Sequence, residues 1–330
     1  MTTTKQLFQA ARSGDLEQAK AALGGGADAS AKDDLQRTPL HWATEYGDSD
    51  LARLLIEKGA DPNARDDWQQ TPLHWIAANG HADFARLLIE KGADPNASDD
   101  QQRTPLHVGA TNGNADLACV LIEKGADPNA RDDWQQTPLH RAAANGHADL
   151  ARLLIEKGAD PKAMSGQQQT SLHLAAENGH NTDFARLLIE KGADPNAGDN
   201  QQQTPLHLAA MHGHADLARL LIEENADLNA RDDWQQTPLH RAAANGHADL
   251  ARLLIEENAD LNARDDQQRT PLYWAAAGGH TVVVELLETA SRLNPATPAA
   301  KPVKSEHTVR ALAARERQRQ AALNDPGEGL

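Results

Sequence analysis

Asn129-Ala130-Arg131-Asp132-Asp133-Trp134-Gln135-Gln136-Thr137-Pro138-Leu139-His140 opens a 28-residue stretch, Asn129 to Glu156, that recurs without a change from Asn229 to Glu256. An unchanged internal copy makes self-similarity the first property to read. Its core, Thr137-Pro138-Leu139-His140, returns at Thr38, Thr71, Thr104, Thr204 and Thr237, with variants Thr170-Ser171-Leu172-His173 and Thr270-Pro271-Leu272-Tyr273. The spacing from Thr to Thr is 33 residues everywhere except between Thr170 and Thr204, where it is 34.

The chemistry of one unit predicts two short helices. Thr137 is a good N-cap, and Pro138 suits the first helical position because its missing N–H would have had no intrahelical partner. Leu139, Ala142 and Ala143 face inward, and Gly146 supplies the left-handed residue that ends the helix. A second helix carries Asp149 in its first turn and Leu150, Leu153 and Leu154 on one stripe, and stops at Gly158. Neither helix buries its apolar face alone, so neighbouring units must stack.

The period and the tetrapeptide resemble the ankyrin repeat over roughly residues 5 to 290. The resemblance implies an all-α solenoid of stacked antiparallel helix pairs with projecting hairpin-like loops. It also implies that the anchor histidine ties its loop to neighbouring backbone, and that a protein partner is bound through the concave groove and the loop tips. Gln36, Gln69, Gln102, Gln135, Gln168, Gln202, Gln235 and Gln268 stand where the family's turn has glycine. Glutamine is less at ease with positive φ, so the tips are expected to be altered in shape.

Taken in order, residues 5–33 read as an N-terminal capping repeat, with Leu7, Phe8, Ala10 and Ala11 on a first helix and Leu16 and Leu23 on a second. Eight anchored repeats follow, so residues 1–290 form one elongated, curved array. The fifth repeat carries the extra residue at Asn181-Thr182, Lys162 in place of asparagine and Ser171 in place of proline, and is expected to be the weakest joint. Residues 291–303, with Pro295, Pro298 and Pro302, read as a linker. Residues 304–330 read as a basic tail in which Val309, Leu312 and Ala313 lie on one side of a helix. That tail is either a solvated segment or a docking element.

The formal net charge is −16; residues 291–330 hold seven Lys/Arg against four Asp/Glu, so the repeats carry −19. Such a body repels phosphate backbones, and no nucleic-acid partner is expected. No membrane segment and no targeting peptide is expected, and a cytoplasmic monomer is the reading. Cys119 is the single cysteine, which leaves no disulfide framework and no Cys-based zinc site. The histidines recur with the period, so they read as structural, not as metal ligands. The Asp-Asp pairs at Asp66, Asp132 and Asp232 recur in a loop column taken as exposed, with no unique partner. Catalysis needs one asymmetric constellation, so neither an enzyme nor a cofactor is expected.

Information in a repeated scaffold lies where the copies differ. The residue after each anchor runs Trp42, Trp75, Val108, Arg141, Leu174, Leu208, Arg241, Trp274, and the loop tips run Leu35, Trp68, Gln101, Trp134, Gln167, Gln201, Trp234, Gln267. All six tryptophans fall in these two columns. Tryptophan and arginine are enriched at binding hot spots, so Trp42, Tyr46, Trp68, Trp75, Trp134, Arg141, Trp234, Arg241 and Trp274 are candidate partner contacts. The competing reading is that each tryptophan packs on the next loop. Trp42, Trp68 and Trp75, with Tyr46 nearby and acidic residues around them, are expected to form a patch for an apolar anchor flanked by Lys or Arg. Alanine at Trp75 is then expected to weaken binding and leave the fold intact. An array that only positions the tail, without a groove ligand, is the alternative function. The identical copies point to recent duplication, as in a bacterial-type ankyrin protein.

Overall fold

The computed structural model describes residues 3–45, 47, 49–179 and 182–293. Its contacts divide the chain between Gln167 and Gln168 into two compact units. The division falls in the loop of the fifth repeat, where Lys162 and Ser165 replace the Asn and Asp of the copy at Asn129.

The first unit holds five helix pairs. They are α1 (Thr3–Ser13) with α2 (Leu16–Gly24), α3 (Pro39–Glu45) with α4 (Ser49–Glu57), α5 (Pro72–Asn79) with α6 (Ala82–Glu90), α7 (Pro105–Asn112) with α8 (Ala115–Glu123), and α9 (Pro138–Ala144) with α10 (Ala148–Glu156). The second unit holds α11 (Ser171–Asn178) with α12 (Thr182–Glu190), α13 (Pro205–His212) with α14 (Ala215–Glu223), α15 (Pro238–Asn245) with α16 (Ala248–Glu256), and α17 (Pro271–Gly278) with α18 (Thr281–Leu293). No strand occurs among the described residues. Within each unit first helices pack on first helices, as α3 on α5 and α13 on α15, and second helices on second, as α6 on α8 and α14 on α16. This is the stacked all-α array that the repeat predicts.

Each first helix starts where the sequence places it. Thr71 is extended at φ −94° and ψ 165°, Pro72 follows, and Gly80 ends the helix at φ 79°. Leu139, Ala142 and Ala143 are fully buried. A buried leucine of this kind contributes about 1.5–3 kcal/mol over an exposed one, and truncation to alanine costs about 2–5 kcal/mol.

The loop tips depart from expectation. All eight glutamines take φ between 56° and 62°, the left-handed region itself, so the turn is kept and not altered. Local hydrogen bonds account for this. In the tip at Asp66, the Gln69 N–H donates to the Asp66 carbonyl at 3.0 Å and the Asp66 N–H to the Gln70 carbonyl at 3.0 Å. The Trp68 and Gln70 N–H groups both donate to Oδ1 of Asp66, at 3.0 and 2.8 Å. That is a type I turn closed by one left-handed residue, the usual three-residue hairpin, and the aspartate holds it in place of a glycine.

α18 continues to Leu293, three residues past the expected end of the array at 290. The remaining linker and the tail helix, residues 294–330, lie outside the described residues, as do Asn181 of the inserted pair and Tyr46.

Candidate functional site

The anchor histidines are built into the loops. His74 Nδ1 accepts from the Thr71 N–H at 3.1 Å, so the neutral ring carries its proton on Nε2, which lies 2.9 Å from the Arg103 carbonyl in the next tip. His41, His107, His173, His207 and His240 repeat the pattern onto Gln70, Gln136, Gln203, Gln236 and Arg269. Burial pushes His41, His207 and His240 down to about 4 from an ordinary 6.5, against the pull of the carbonyl each ring contacts. The second histidine series closes helix ends: His147 and His247 reach the Thr111 and Met211 carbonyls at 2.9 Å. Among the described residues no group of three or more His, Cys, Asp or Glu side chains could hold a metal ion.

The first aspartate of each loop pair corrects the sequence reading. Asp66, Asp132 and Asp232 are each 1% exposed, while Asp67, Asp133 and Asp233 face solvent. The buried position arises because Oδ1 closes the turn through two backbone N–H groups, which draws the carboxylate under the tip. Oδ2 then points at the residue nine positions on, the candidate column after the anchor. Trp75 Nε1 donates to Asp66 Oδ2 at 3.2 Å, Trp42 Nε1 to Asp33 Oδ2 at 3.4 Å and Trp274 Nε1 to Asp265 Oδ2 at 3.1 Å. Arg241 Nη2 donates to Asp232 Oδ2 at 2.6 Å, and Arg141 meets Asp132 in the same way.

A second donor stands four positions after the aspartate. Arg37, Arg103 and Arg269 donate through Nε to Asp33, Asp99 and Asp265 at 3.0, 2.9 and 2.8 Å. Where the fourth position is glutamine, the ninth is a donor in the repeats of Asp66, Asp132 and Asp232. In the fifth repeat, where both positions lack a cation or indole (Gln169, Leu174), the aspartate is replaced by Ser165. The sixth repeat breaks the pattern, since Asp199 is kept beside Gln203 and Leu208. Burial raises the Asp33 carboxyl, but the Arg37 hydrogen bond and the Leu35 and Arg37 N–H groups outweigh it and leave it below the ordinary range. Asp66, whose side-chain donor is the neutral Trp75 indole, is left above that range by burial.

The structure therefore places the candidate contacts in two different settings. Trp42 and Trp75 are brought together edge to face at 5.9 Å, and Trp75 also meets His41 at 5.7 Å. The Arg12 and Arg37 guanidinium groups lie 4.2 and 4.3 Å from the Trp42 ring. Arg269 stands 4.1 Å from the Trp274 ring. The Asp232–Arg241 pair and Trp75's own packing give substitution in this column a structural cost that the sequence does not display. Trp68 is not brought to that cluster: among the described residues it makes no ring contact, and it is 47% exposed. Trp134 is 51% exposed, with Arg141 at 5.3 Å from its ring, and Trp234 is half-buried with Arg241 at the same 5.3 Å.

The tips are stacked in series by their own backbone. The Asp67 N–H donates to the Leu35 carbonyl, Asp100 to Trp68 and Asp133 to Gln101, at 3.0–3.1 Å. In the second unit Asp233 and Asp266 do the same to Gln201 and Trp234, both at 3.0 Å. In the first unit this ladder sets Leu35, Trp68 and Trp134 in one column with the exposed carboxylates Asp34, Asp67, Asp100 and Asp133 beside them.

No helix of the described residues is long and apolar enough to cross a membrane. No curated protein matches the chain. A family profile described as ankyrin repeats (3 copies) matches residues 7–99, 58–132, 96–165, 139–232 and 225–297. With these matches running through all eight anchored repeats and the capping pair before them, the chain belongs to the ankyrin-repeat family.

Proposed function

We propose that the chain is a non-catalytic binding module that takes a protein partner at the loop tips of its first unit. Ankyrin repeats are generally protein–protein interaction modules, and no catalytic family is indicated for this chain. The observation that carries the finer reading is the exposure of the tips. Among the described residues of the first unit, the exposed large apolar side chains are Leu35, Trp68, Trp134 and Met164, and all four lie on inter-repeat loops. Indole left in water has a desolvation reason to be covered, and carboxylates flank it on the same ladder. The partner of matching chemistry presents an apolar anchor with Lys or Arg beside it, the anchor giving affinity and the rim the association rate.

Capture from the native cell, with the full chain and its Trp68→Ala/Trp134→Ala form as baits, tests this. The tip variant should lose the proteins the parent retains, at unchanged thermal stability. Equal capture by both baits would favour the other reading, an array that positions its C-terminal segment without a ligand at the tips.

A further inference from the structure

The C-terminal end of the second unit is apolar and uncovered among the described residues. Leu206 and Leu239, the anchor leucines of α13 and α15, are fully buried, whereas Leu272 of α17 is only half-buried. α15 buries six residues, while α17 buries Pro271 and Ala275 alone. The second helix repeats the contrast. Val284 and Leu286 of α18 occupy the positions of Ala251 and Leu253 in α16; those two are 0% and 3% exposed, and Val284 and Leu286 are half-buried.

A repeat array needs a polar outer face on its terminal units. The N-terminal pair supplies one, with Lys5, Gln6, Gln9 and Arg12 exposed on α1. The last described repeat does not: Thr270-Pro271-Leu272 and Ala275-Ala276-Ala277 keep the sequence of an interior copy. A further 37 residues, 294–330, follow directly from α18. Within them Val309, Leu312 and Ala313 stand at the i, i+3, i+4 spacing of one helical face, amid Arg310, Arg315, Arg317 and Arg319. The chain from Leu293 to Val309 spans up to roughly 50 Å when extended, against the ~10 Å that separates packed helices. Charge favours this occupant over a second copy of the array. The uncovered end carries exposed Asp266 and Glu285, with Glu288 ion-paired to Arg292 at 3.1 Å, and the carboxylates of Asp266 and Glu285 match a following segment that is basic.

We propose that the segment 304–323 docks on the exposed apolar end of α17 and α18 of its own chain and serves as the C-terminal cap of the array. The anchors are Val309 and Leu312 on the Leu272, Val284 and Leu286 surface, with the arginines toward Asp266 and Glu285. This reading is independent of what binds at the loop tips.

Hydrogen exchange of residues 271–293 in the full-length chain tests it, against full-length Val309→Glu/Leu312→Glu and a conservative Val309→Ile/Leu312→Met form. The glutamate form should exchange in α17 and α18 about tenfold faster or more, with α13 and α14 unchanged, and the conservative form should match the parent. Unchanged exchange in the glutamate form would overturn the proposal. So would protection that falls on dilution of the parent and is indifferent to the tail substitutions, since a second copy would then be the cover.

Discussion

At the scale of single residues, the loop carboxylates Asp33, Asp66, Asp132, Asp232 and Asp265 each do two tasks that lie in different parts of the chain. In each, Oδ1 fixes the turn, and Oδ2 fixes the side chain nine positions later. Asp232 illustrates the energetics, because Arg241 is itself almost buried, with a side-chain exposure of 9% against 0% for the aspartate. The contact is made by one nitrogen, and Arg241 Nε is buried without a hydrogen-bond partner. Removing the carboxylate strands that cation and two backbone N–H groups. Asp232→Ala is expected to destabilise the second unit by about 3–5 kcal/mol, measured by chemical unfolding. A loss under about 1 kcal/mol would mean that water replaces the carboxylate at no cost. The repeat, the caps and the buried leucines were legible in the sequence because each is a local pattern with a fixed period. The aspartate was not, since two adjacent acidic residues in a polar loop read as solvated. The signal available was the presence of a donor at position four or nine in the repeats of Asp33, Asp66, Asp99, Asp132, Asp232 and Asp265, and the change to Ser165 in the fifth repeat, which has neither; the sixth, which keeps Asp199 without either donor, weakens it.

At the scale of the element, a helix start and a loop tip are joined through one neutral imidazole. Six described anchor histidines have their proton affinity lowered by burial, three of them to about 4. For His41, His207 and His240 the folded value lies below the unfolded one, so at these three positions the unfolded chain binds more protons between about 4 and 6.5, and the other three shift in the same direction. The stability these groups give is complete above 6.5 and is lost as pH falls through about 4. Each of His41, His207 and His240 contributes a slope of up to roughly 1.4 kcal/mol per pH unit inside that window. Thermal unfolding at pH 7 and pH 5 should differ by several degrees or more, and equal midpoints would exclude neutral anchors. The tips make a second prediction of opposite sign. Gln235 holds φ 58° with its side chain exposed. Gln235→Gly should stabilise by about 0.5–1 kcal/mol, the relief of a left-handed non-glycine residue less the added freedom of the unfolded chain. A destabilisation in the same melt would show that the glutamine side chain itself holds the tip.

At the scale of the molecule, the repeated design separates side chains that hold the array from side chains left exposed on the tips. Trp42, Trp75, Arg141, Arg241 and Trp274 are tied to loop carboxylates, while Trp68 and Trp134 are about half exposed on the tip ladder, Trp134 with Arg141 beside its ring. Sequence alone put both sets in variable columns and could not rank them, because the difference lies in hydrogen bonds that loop closure creates. An acidic repeat body of −19 supports recognition of a basic surface and fast association at low salt. Hydroxyl-radical footprinting of the full chain, free and saturated with its captured partner, tests the assignment most directly, since each indole reports for itself. The account predicts that oxidation of Trp68 and Trp134 falls steeply on binding while that of Trp42 and Trp75, already packed, barely changes. Unchanged oxidation at the tips, or protection confined to the Trp42 and Trp75 pair, would contradict it.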